Sequence, residues 1–136
     1  MRIRHGCHAD IDSILALWQA ADSPPTVTDD SGSISRLMYR DSAALFVADE
    51  DDAVVGTLIA GWDGWRGNLY RVAVHPDFRR RGIARALVAE AEEHLRALGC
   101  KRLTALVLEH EQHAVEFWTA VGFGHQREIG RFQKNF

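Results

Sequence analysis

Three consecutive arginines, Arg79, Arg80 and Arg81, stand directly before Gly82 in the stretch AVHPDFRRRGIARAL. An apolar run that is typical of a strand precedes them, and apolar residues at helical spacing follow from Ile83. The first turn of a helix has unpaired N–H groups and the positive end of the helix dipole, so it binds anions. Glycine lets a ligand approach the backbone closely, and arginine donates paired hydrogen bonds to phosphate. The pattern therefore indicates a phosphate site; the alternative is a solvated arginine run before an ordinary amphipathic helix.

The common nucleotide-binding motifs do not explain this stretch. A dinucleotide-binding turn needs G-x-G-x-x-G directly after a strand, and a P-loop needs G-x-x-x-x-G-K-[ST]; neither pattern is present here. Nucleic acid is also an unfavourable ligand, because the formal net charge is −3 and neutralising a phosphate backbone needs a basic face. The arginine cluster therefore needs a local explanation.

The length and composition favour a single domain over residues 1–136. Apolar residues make up 46% of the chain and charged residues 26%, a balance typical of globular proteins with one core. The chain has no apolar run that is long enough to span a bilayer, and its first ten residues lack the apolar core of a signal peptide. We therefore expect no membrane association and a cytoplasmic location, with Cys7 and Cys100 as reduced thiols.

Hydrophobic periodicity predicts alternating helices and strands. Helices are predicted over residues 9–22, 34–40, 82–98 and 110–121, the last two ending at Gly99 and Gly122. Strands are predicted over residues 2–6, 43–49, 53–61, 69–74 and 102–108, with one or two closing strands within residues 123–136. The predicted fold class is α/β with a mixed sheet, in the order β-α-α-β-β-β-α-β-α-β, with a second closing strand as the alternative.

The stretch VAVHPDFRRRGIARAL resembles the acetyl-CoA signature of the GNAT acetyltransferase superfamily, V-x-P-x-[FY]-[RQ]-x-x-G-[IL]-[GA] followed by an apolar helix. The positions that match are Val74, Pro76, Phe78, Arg79, Gly82, Ile83 and Ala84. Three other stretches resemble further parts of the family in the same order: RIRHGCHADIDSILALW, AVVGTLIAG and AVEFWTAVGF. The stretch GWDGWRGNLYRVAVHP, together with the short C-terminus, resembles a small YpeA-like bacterial branch.

The resemblance implies a cofactor site for acetyl-CoA as co-substrate. In the family, backbone N–H groups at the helix start hold the pyrophosphate, here those of residues 80–85, and strands four and five splay apart around pantetheine. The fourth strand offers backbone groups to the acetyl carbonyl, where an N–H would stabilise an oxyanion. The residues implied to bind acetyl-CoA are Val72, Ala73, Val74, Arg79, Arg80, Arg81, Gly82, Ile83, Ala84, Arg85 and Trp118.

Two residues of the last predicted helix region depart from the family pattern. Glu111 stands where the family has asparagine, and Trp118 stands where a tyrosine often protonates the leaving thiolate. Indole cannot supply that proton. The candidate catalytic residues are therefore Tyr70, on the same strand face as Asn68, and Glu111; the alternatives are a packed strand tyrosine and a carboxylate that complements a helix start.

The stretch GWDGWRG places two tryptophans at a turn, where exposing indoles is costly. We predict an acceptor site formed by Trp62, Asp63, Trp65 and Asn68, with packing against a dimer partner or the N-terminal helices as the alternative for the indoles. The pair His110 and His113 in HEQH is too weak a pattern to indicate a metal.

The resemblance implies a bacterial N-acetyltransferase that transfers the acetyl group to a primary amine by direct attack in a ternary complex. The alternative is an acyl-CoA-binding or regulatory domain with weak or no transferase activity, which the residues at 111 and 118 motivate. The acceptor would be a small-molecule amine or a peptide or protein N-terminal amine. A homodimer is expected from family habit alone.

Overall fold

The structure is a computed structural model that describes residues 1–21 and 23–136. It consists of two compact units, Met1–Ala105 and Leu106–Phe136. Each unit is described by itself below. The single domain over residues 1–136 stays a prediction.

The first unit is a five-stranded sheet with helices. Its strands are β1 (Arg2–His5), β2 (Leu45–Glu50), β3 (Ala53–Trp62), β4 (Gly67–Val74) and β5 (Leu103–Ala105), and its helices are α1 (Ile11–Ala20), α2 (Ser31–Arg40) and α3 (Ile83–Ala97). The strand order follows the chain order; β1 to β4 are antiparallel and β5 is parallel to β4. This mixed sheet confirms the predicted fold class. Asp22, predicted as the end of the first helix, lies outside the described residues.

Helices α1 and α2 pack on one face of the sheet. Their apolar residues recur at helical spacing, and Ile14, Trp18 and Ile34 join Leu45 and Val47 of β2 in one buried cluster. Each such side chain stabilises the fold by about 1.5–3 kcal/mol on burial. The cluster fixes the two helices against the face of the sheet on which Asn68 and Tyr70 of β4 lie.

Helix α3 packs on the sheet through a buried stripe that runs from Ile83 to Leu95. The contact with β3 is close, because a Cβ added at Gly56 would lie 2.9 Å from Ile83 Cγ2 and 3.2 Å from Leu87 Cδ1. Gly99, with φ of +96°, follows the helix as predicted. Glycine adopts this left-handed conformation without a steric penalty. The position of α3 is therefore fixed by its apolar face and its end by a glycine.

The second unit contains α4 (Gln112–Ala120) and no strand among its described residues. This corrects the prediction of one or two closing strands within residues 123–136. The apolar residues of that segment, including Ile129 and Phe132, are exposed, so they form no buried face that would reward pairing. The predicted strand 102–108 is also shorter, because β5 ends at Ala105.

Candidate active site

The segment between β4 and α3 places a row of backbone N–H groups at the start of the helix. Gly82 is the N-cap with φ of +79° and no side-chain cap, and the Ala86 N–H donates the first bond of the helix to the Gly82 carbonyl at 3.0 Å. No hydrogen bond joins the N–H groups of residues 80–85 to another described residue. A Cβ added at Gly82 would meet no atom within 4 Å. These donors are therefore open to an anion.

The arginines around Gly82 differ in how they are held. The Arg79 guanidinium donates to the Ala21 carbonyl at 3.4 Å, and that of Arg81 lies 4.9 Å from the Phe78 ring and 3.9 Å from Glu50. Arg80 and Arg85 are exposed, and neither forms an ion pair with a described residue. Two guanidinium groups thus remain available beside the unpaired N–H groups.

Strand β4 has a bulge next to an open edge. Ile59 pairs with Tyr70 and Thr57 pairs with Ala73, so two residues of β4, Arg71 and Val72, stand opposite one of β3. Arg71 has φ of +52°, which non-glycine residues rarely adopt. On the other side, the pairing with β5 ends at Leu69 and Ala105. From residue 70 to 74, β4 therefore has no partner on that side among the described strands.

A buried hydroxyl holds the bulge in place. The Thr57 Oγ1 atom donates to the Arg71 carbonyl at 2.9 Å and accepts from Trp18 Nε1 at 2.9 Å. Thr57 is fully buried, and a buried polar group that lacked partners would destabilise the fold. Trp18, predicted as a core residue, is therefore both buried and hydrogen-bonded to the strand that carries the bulge.

The Arg71 side chain joins β4 to the loop of residues 23–30 (the 23–30 loop). Its guanidinium forms an ion pair with Asp29, donates to the Pro24 carbonyl at 3.2 Å and lies 4.9 Å from the Trp18 ring. Burial raises the pKa of the Asp29 carboxyl, but hydrogen bonds from Arg71 and Thr26 outweigh this effect and hold the pKa below its ordinary value. The carboxylate is therefore charged at neutral pH and fixes the loop beside the bulge.

The structure places Asn68 and Tyr70 on the same face as the bulge network. Both lie on the α1 and α2 face of the sheet, and a Cβ added at Gly61 would lie 3.3 Å from the Tyr70 ring. Tyr70 is 42% exposed. It therefore lies at the surface of this face, directly before the bulge; its catalytic role stays a prediction.

The tryptophans of the hairpin between β3 and β4 lie elsewhere. Trp62 and Trp65 line a pocket of about 480 Å³ together with residues 98–102, which follow α3. A helix of the length of α3 spans about 22 Å, so this pocket is far from Gly82. Trp62 follows Gly61 and faces the other side of the sheet. The structure thus separates Trp62 and Trp65 from Asn68 and Tyr70, and the joint acceptor site stays a prediction.

Asp63 stabilises the hairpin turn. Its carboxylate accepts hydrogen bonds from the N–H groups of Trp65 and Arg66, both at 2.8 Å. The bonds from Arg66 and then Trp65 lower the pKa of Asp63 from its ordinary value. The Arg66 guanidinium lies 4.0 Å from the Trp65 ring centroid. These contacts give Asp63 a structural role in the turn, and its contact with an acceptor stays a prediction.

The second unit contains the two residues that depart from the family pattern. Glu111 is the exposed N-cap of α4, and its side chain lies 3.7 Å from His110 Nε2 without capping the helix. The Trp118 ring packs edge to face against Phe123, with centroids 4.9 Å apart. Glu111 as a catalytic residue and Trp118 as an acetyl-CoA contact stay predictions.

The described residues contain neither a metal-binding cluster nor a helix that could span a membrane. No cluster of three or more His, Cys, Asp or Glu side chains could hold a metal ion there. None of the helices within residues 1–21 and 23–136 is long and apolar enough to cross a bilayer.

Comparison with known proteins identifies the family. The sequence model of the acetyltransferase (GNAT) family matches residues 11–123. The chain belongs to the acetyltransferase (GNAT) family. An acetyltransferase from Yersinia enterocolitica is 33% identical over 95% of this chain and 92% of its own length. The predicted GNAT membership is thereby confirmed. Membership of this family supports acetyltransferase activity for the protein.

Solved structures of the GNAT fold agree with the architecture. The Ard1 protein from Thermoplasma volcanium superposes with a TM-score of 0.82 at 21% identity, over 90% of this chain and 82% of that chain. An aminoglycoside N-acetyltransferase, AAC(6′)-Iy, in complex with the bisubstrate analogue CoA-S-monomethyl-acetylneamine, superposes with a TM-score of 0.75 at 19% identity, over 99% and 98% of the two chains. At these identities the likeness shows the fold alone.

Sequence reasoning missed the network around Arg71. Nothing in the strand pattern indicates that an arginine within LYRVAV has a positive φ, because arginine in a strand is normally a solvent-facing residue. Its partner Asp29 is 42 residues away in the chain. The loop SPPTVTDD contains two aspartates, but its sequence does not indicate that either of them pairs with Arg71.

Proposed function

We propose that this GNAT protein is an acetyl-CoA-dependent N-acetyltransferase that brings acetyl-CoA and a primary amine together for direct attack. The observation that carries the proposal is the row of unpaired N–H groups at residues 80–85, directly after a strand whose edge is open from residue 70. One chain segment thus presents donors for a pyrophosphate and backbone groups for a thioester.

The start of α3 would bind the phosphate end of coenzyme A. Unpaired helix N–H groups and the helix dipole favour an anion, and the free guanidinium groups of Arg80 and Arg85 add donors. Gly82 leaves open space where a side chain would otherwise stand. Acetyl-CoA supplies the activated acetyl group as co-substrate, and no metal is proposed.

The open edge of β4 would hold the reacting end. Val72, Ala73 and Val74 follow the bulge, and a backbone N–H aimed at the thioester carbonyl would stabilise the oxyanion that forms when an amine attacks. The buried bond between Thr57 and the Arg71 carbonyl fixes this backbone before substrate binds. Such fixed donors lower the barrier because they need no rearrangement during the reaction.

The amine would approach from the face that carries Asn68 and Tyr70. The exposed tyrosine lies directly before the bulge and is the candidate for contacting the amine or ordering a water molecule. Trp118 has no acidic proton for the departing thiolate, which would take a proton from water. Glu111 remains a second candidate base. We propose a small-molecule amine as acceptor, with a peptide N-terminal amine as the alternative; an isologous homodimer and a cytoplasmic location stay predictions.

A second candidate function is an acyl-CoA-binding domain with weak or no transfer. Trp118 in the place of the usual tyrosine favours it. Calorimetric titration with acetyl-CoA, followed by thiol release over kanamycin, lysine, spermidine and an alanine-initiated hexapeptide, distinguishes the two. Binding with turnover supports the transferase, binding without turnover on any acceptor supports the second function, and the absence of binding overturns both.

A further inference from the structure

The loop of residues 23–30 is attached to the β4 bulge by one side chain. Arg71 donates to the Asp29 carboxylate through Nε at 3.1 Å and through Nη2, and Nη2 also reaches the Pro24 carbonyl at 3.2 Å and Thr26 Oγ1 at 3.5 Å. The Arg71 and Asp29 side chains are each only 15% exposed. A surface ion pair would be mobile, whereas this one is packed between a strand and a loop.

The loop itself is ordered around the same carboxylate. Asp29 accepts from the Thr26 N–H at 3.0 Å and from Thr26 Oγ1 at 2.9 Å, so it closes a turn that Arg71 connects to the sheet. Asp30 follows at once and caps α2 by accepting from the Ser33 N–H at 2.7 Å. The Arg71 contact therefore fixes both the loop and the start of α2.

The backbone and the side chain of Arg71 hold two different parts of the structure, the bulge and the 23–30 loop. Its carbonyl is held by Thr57, which fixes the bulge, and its guanidinium stacks near the Trp18 ring and holds the loop. The loop thus lies on the same face of the sheet as Tyr70 and beside the same bulge. Movement of the loop would change the surface that an amine meets there.

We propose that Arg71 is a positioning residue that fastens the 23–30 loop to the β4 bulge and thereby forms the amine side of the transfer site. The effect on the amine rests on the proposed function; the attachment of the loop does not. Loss of the guanidinium leaves Asp29 half-buried without its partner, which loosens the loop while the bonds of Thr57 keep the bulge. The hydrogen bonds of this side chain go to the 23–30 loop, and none of them joins it to residues 80–85, where the phosphate end of acetyl-CoA is proposed to bind.

The test replaces the side chain without disturbing the backbone. Arg71→Gly suits the positive φ of the position, so it removes the guanidinium and keeps the bulge. Loss of hydrogen bonds between charged groups predicts a rise of roughly tenfold or more in the KM for the best acceptor among kanamycin, lysine, spermidine and the hexapeptide. The Kd for acetyl-CoA should change by less than about twofold. Arg71→Lys, which keeps the charge but not the fork, should restore part of the amine KM.

A second variant and a second measurement keep the proposal independent of turnover. Asp29→Asn removes the charge that pairs with Arg71 and leaves the sequence of β4 unchanged, and it should also raise the amine KM. Amide hydrogen exchange at residues 26–30 should be faster in both variants, whether or not any amine is acetylated. The control is Arg40→Gly, at the exposed C-terminal end of α2, where no ion pair joins Arg40 to a described residue. Unchanged exchange in the loop, or equal losses in amine KM and acetyl-CoA Kd, overturns the proposal.

Discussion

The two ends of α3 have similar side chains but different backbone groups: N–H groups at the start and carbonyl groups at the end. Gly82 precedes the helix and Gly99 follows it, both with positive φ, and a Cβ added at either would meet no atom within 4 Å. Arginine or lysine side chains surround both ends. At the first end the N–H groups have no partner among the described residues, whereas at the second the Leu95 carbonyl accepts from both Leu98 and Cys100.

The basic side chains at the two ends of α3 differ in their interaction with the helix dipole. A positive side chain in the last turn of a helix complements the dipole and stabilises it, as Arg96 does by position in α3. Arg80 and Arg85 stand at the positive end, where their charge opposes the dipole. Two uncompensated cations at that end are unfavourable until an anion binds, so their placement points to a ligand rather than to stability.

The largest effect is expected when a negative side chain is placed at each end in turn. Gly82→Glu should weaken acetyl-CoA binding by about 100-fold, because the carboxylate competes with a phosphate for the same N–H groups and strains a residue with φ of +79°. Gly99→Glu introduces the same charge and the same backbone strain at the other end and should leave the affinity within about twofold. Calorimetry of both variants gives the comparison. Equal losses would refute the phosphate site.

An arginine that is paired within the fold should affect stability instead of binding. Arg4 forms an ion pair with Asp10 at 2.8 Å, and this bond, against the opposing effect of burial, lowers the pKa of Asp10 from 3.8 to about 2. Because the folded pKa is the lower one, the unfolded chain takes up the proton first as the pH falls. The pair should stabilise the protein by about 2 kcal/mol above pH 5, and this contribution should be lost towards pH 2.

Urea unfolding between pH 7 and pH 2 measures this contribution. Asp10→Asn should be less stable at pH 7 and should lose less stability on acidification, whereas Asp12→Asn, at an exposed position in the same helix turn, should follow the parent protein. A parent curve that is flat from pH 5 to pH 2 would be inconsistent with the pair.

The free arginines at the start of α3 should have an intermediate effect. Changing Arg80 and Arg85 together to Gln removes two exposed charges, each worth about 0.2–1 kcal/mol, so acetyl-CoA affinity should fall by roughly two- to thirtyfold with little loss of stability. The matched pair Lys101→Gln with Arg102→Gln should not change the affinity. Repeating the titrations at high salt should shrink the difference between the two double variants. If both pairs weaken binding alike, the cations act only through net charge.

The smallest effect concerns a buried side chain in the last turn of α3. His94 Nε2 is buried without a hydrogen-bond partner among the described residues, and its ring packs edge to face against Phe46 at 5.7 Å. His94→Phe should therefore stabilise the protein by about 1 kcal/mol and leave acetyl-CoA affinity unchanged. Thermal unfolding measures the gain, with the exposed Glu93→Gln as control. If the His94→Phe variant is less stable than the parent protein, His94 Nε2 has a hydrogen-bond partner in the parent.

The strand, turn and helix that form the proposed phosphate site were predictable because their signals are local. The strand, the glycine and the apolar helix of residues 69–98 follow one another in the chain, so their geometry depends on neighbours within a few residues. The family pattern then covers the same stretch. The row of free N–H groups is a direct consequence of a helix that begins at Gly82 without a side-chain cap.

The network around Arg71 was not predictable because it depends on register and on distant partners. A bulge at Arg71 changes which residues of β4 share a face, and strand periodicity gives no sign of it. The hairpin turn with its glycines was located correctly, but the side of the sheet on which Trp62 lies was not evident. One or two closing strands were predicted within residues 123–136, and the apolar side chains Ile129 and Phe132 of that segment are exposed instead.

The edge of β4 from residue 70 to 74 has a consequence for handling the protein. Unpaired strand backbone is a template on which a second chain can add a strand, and proteins normally cover, twist or charge such edges to remain monodisperse. If the opening admits a substrate, the ligand-free protein is the form most prone to aggregate. Acetyl-CoA in the storage buffer should then extend the protein's shelf life at high concentration, independently of any turnover.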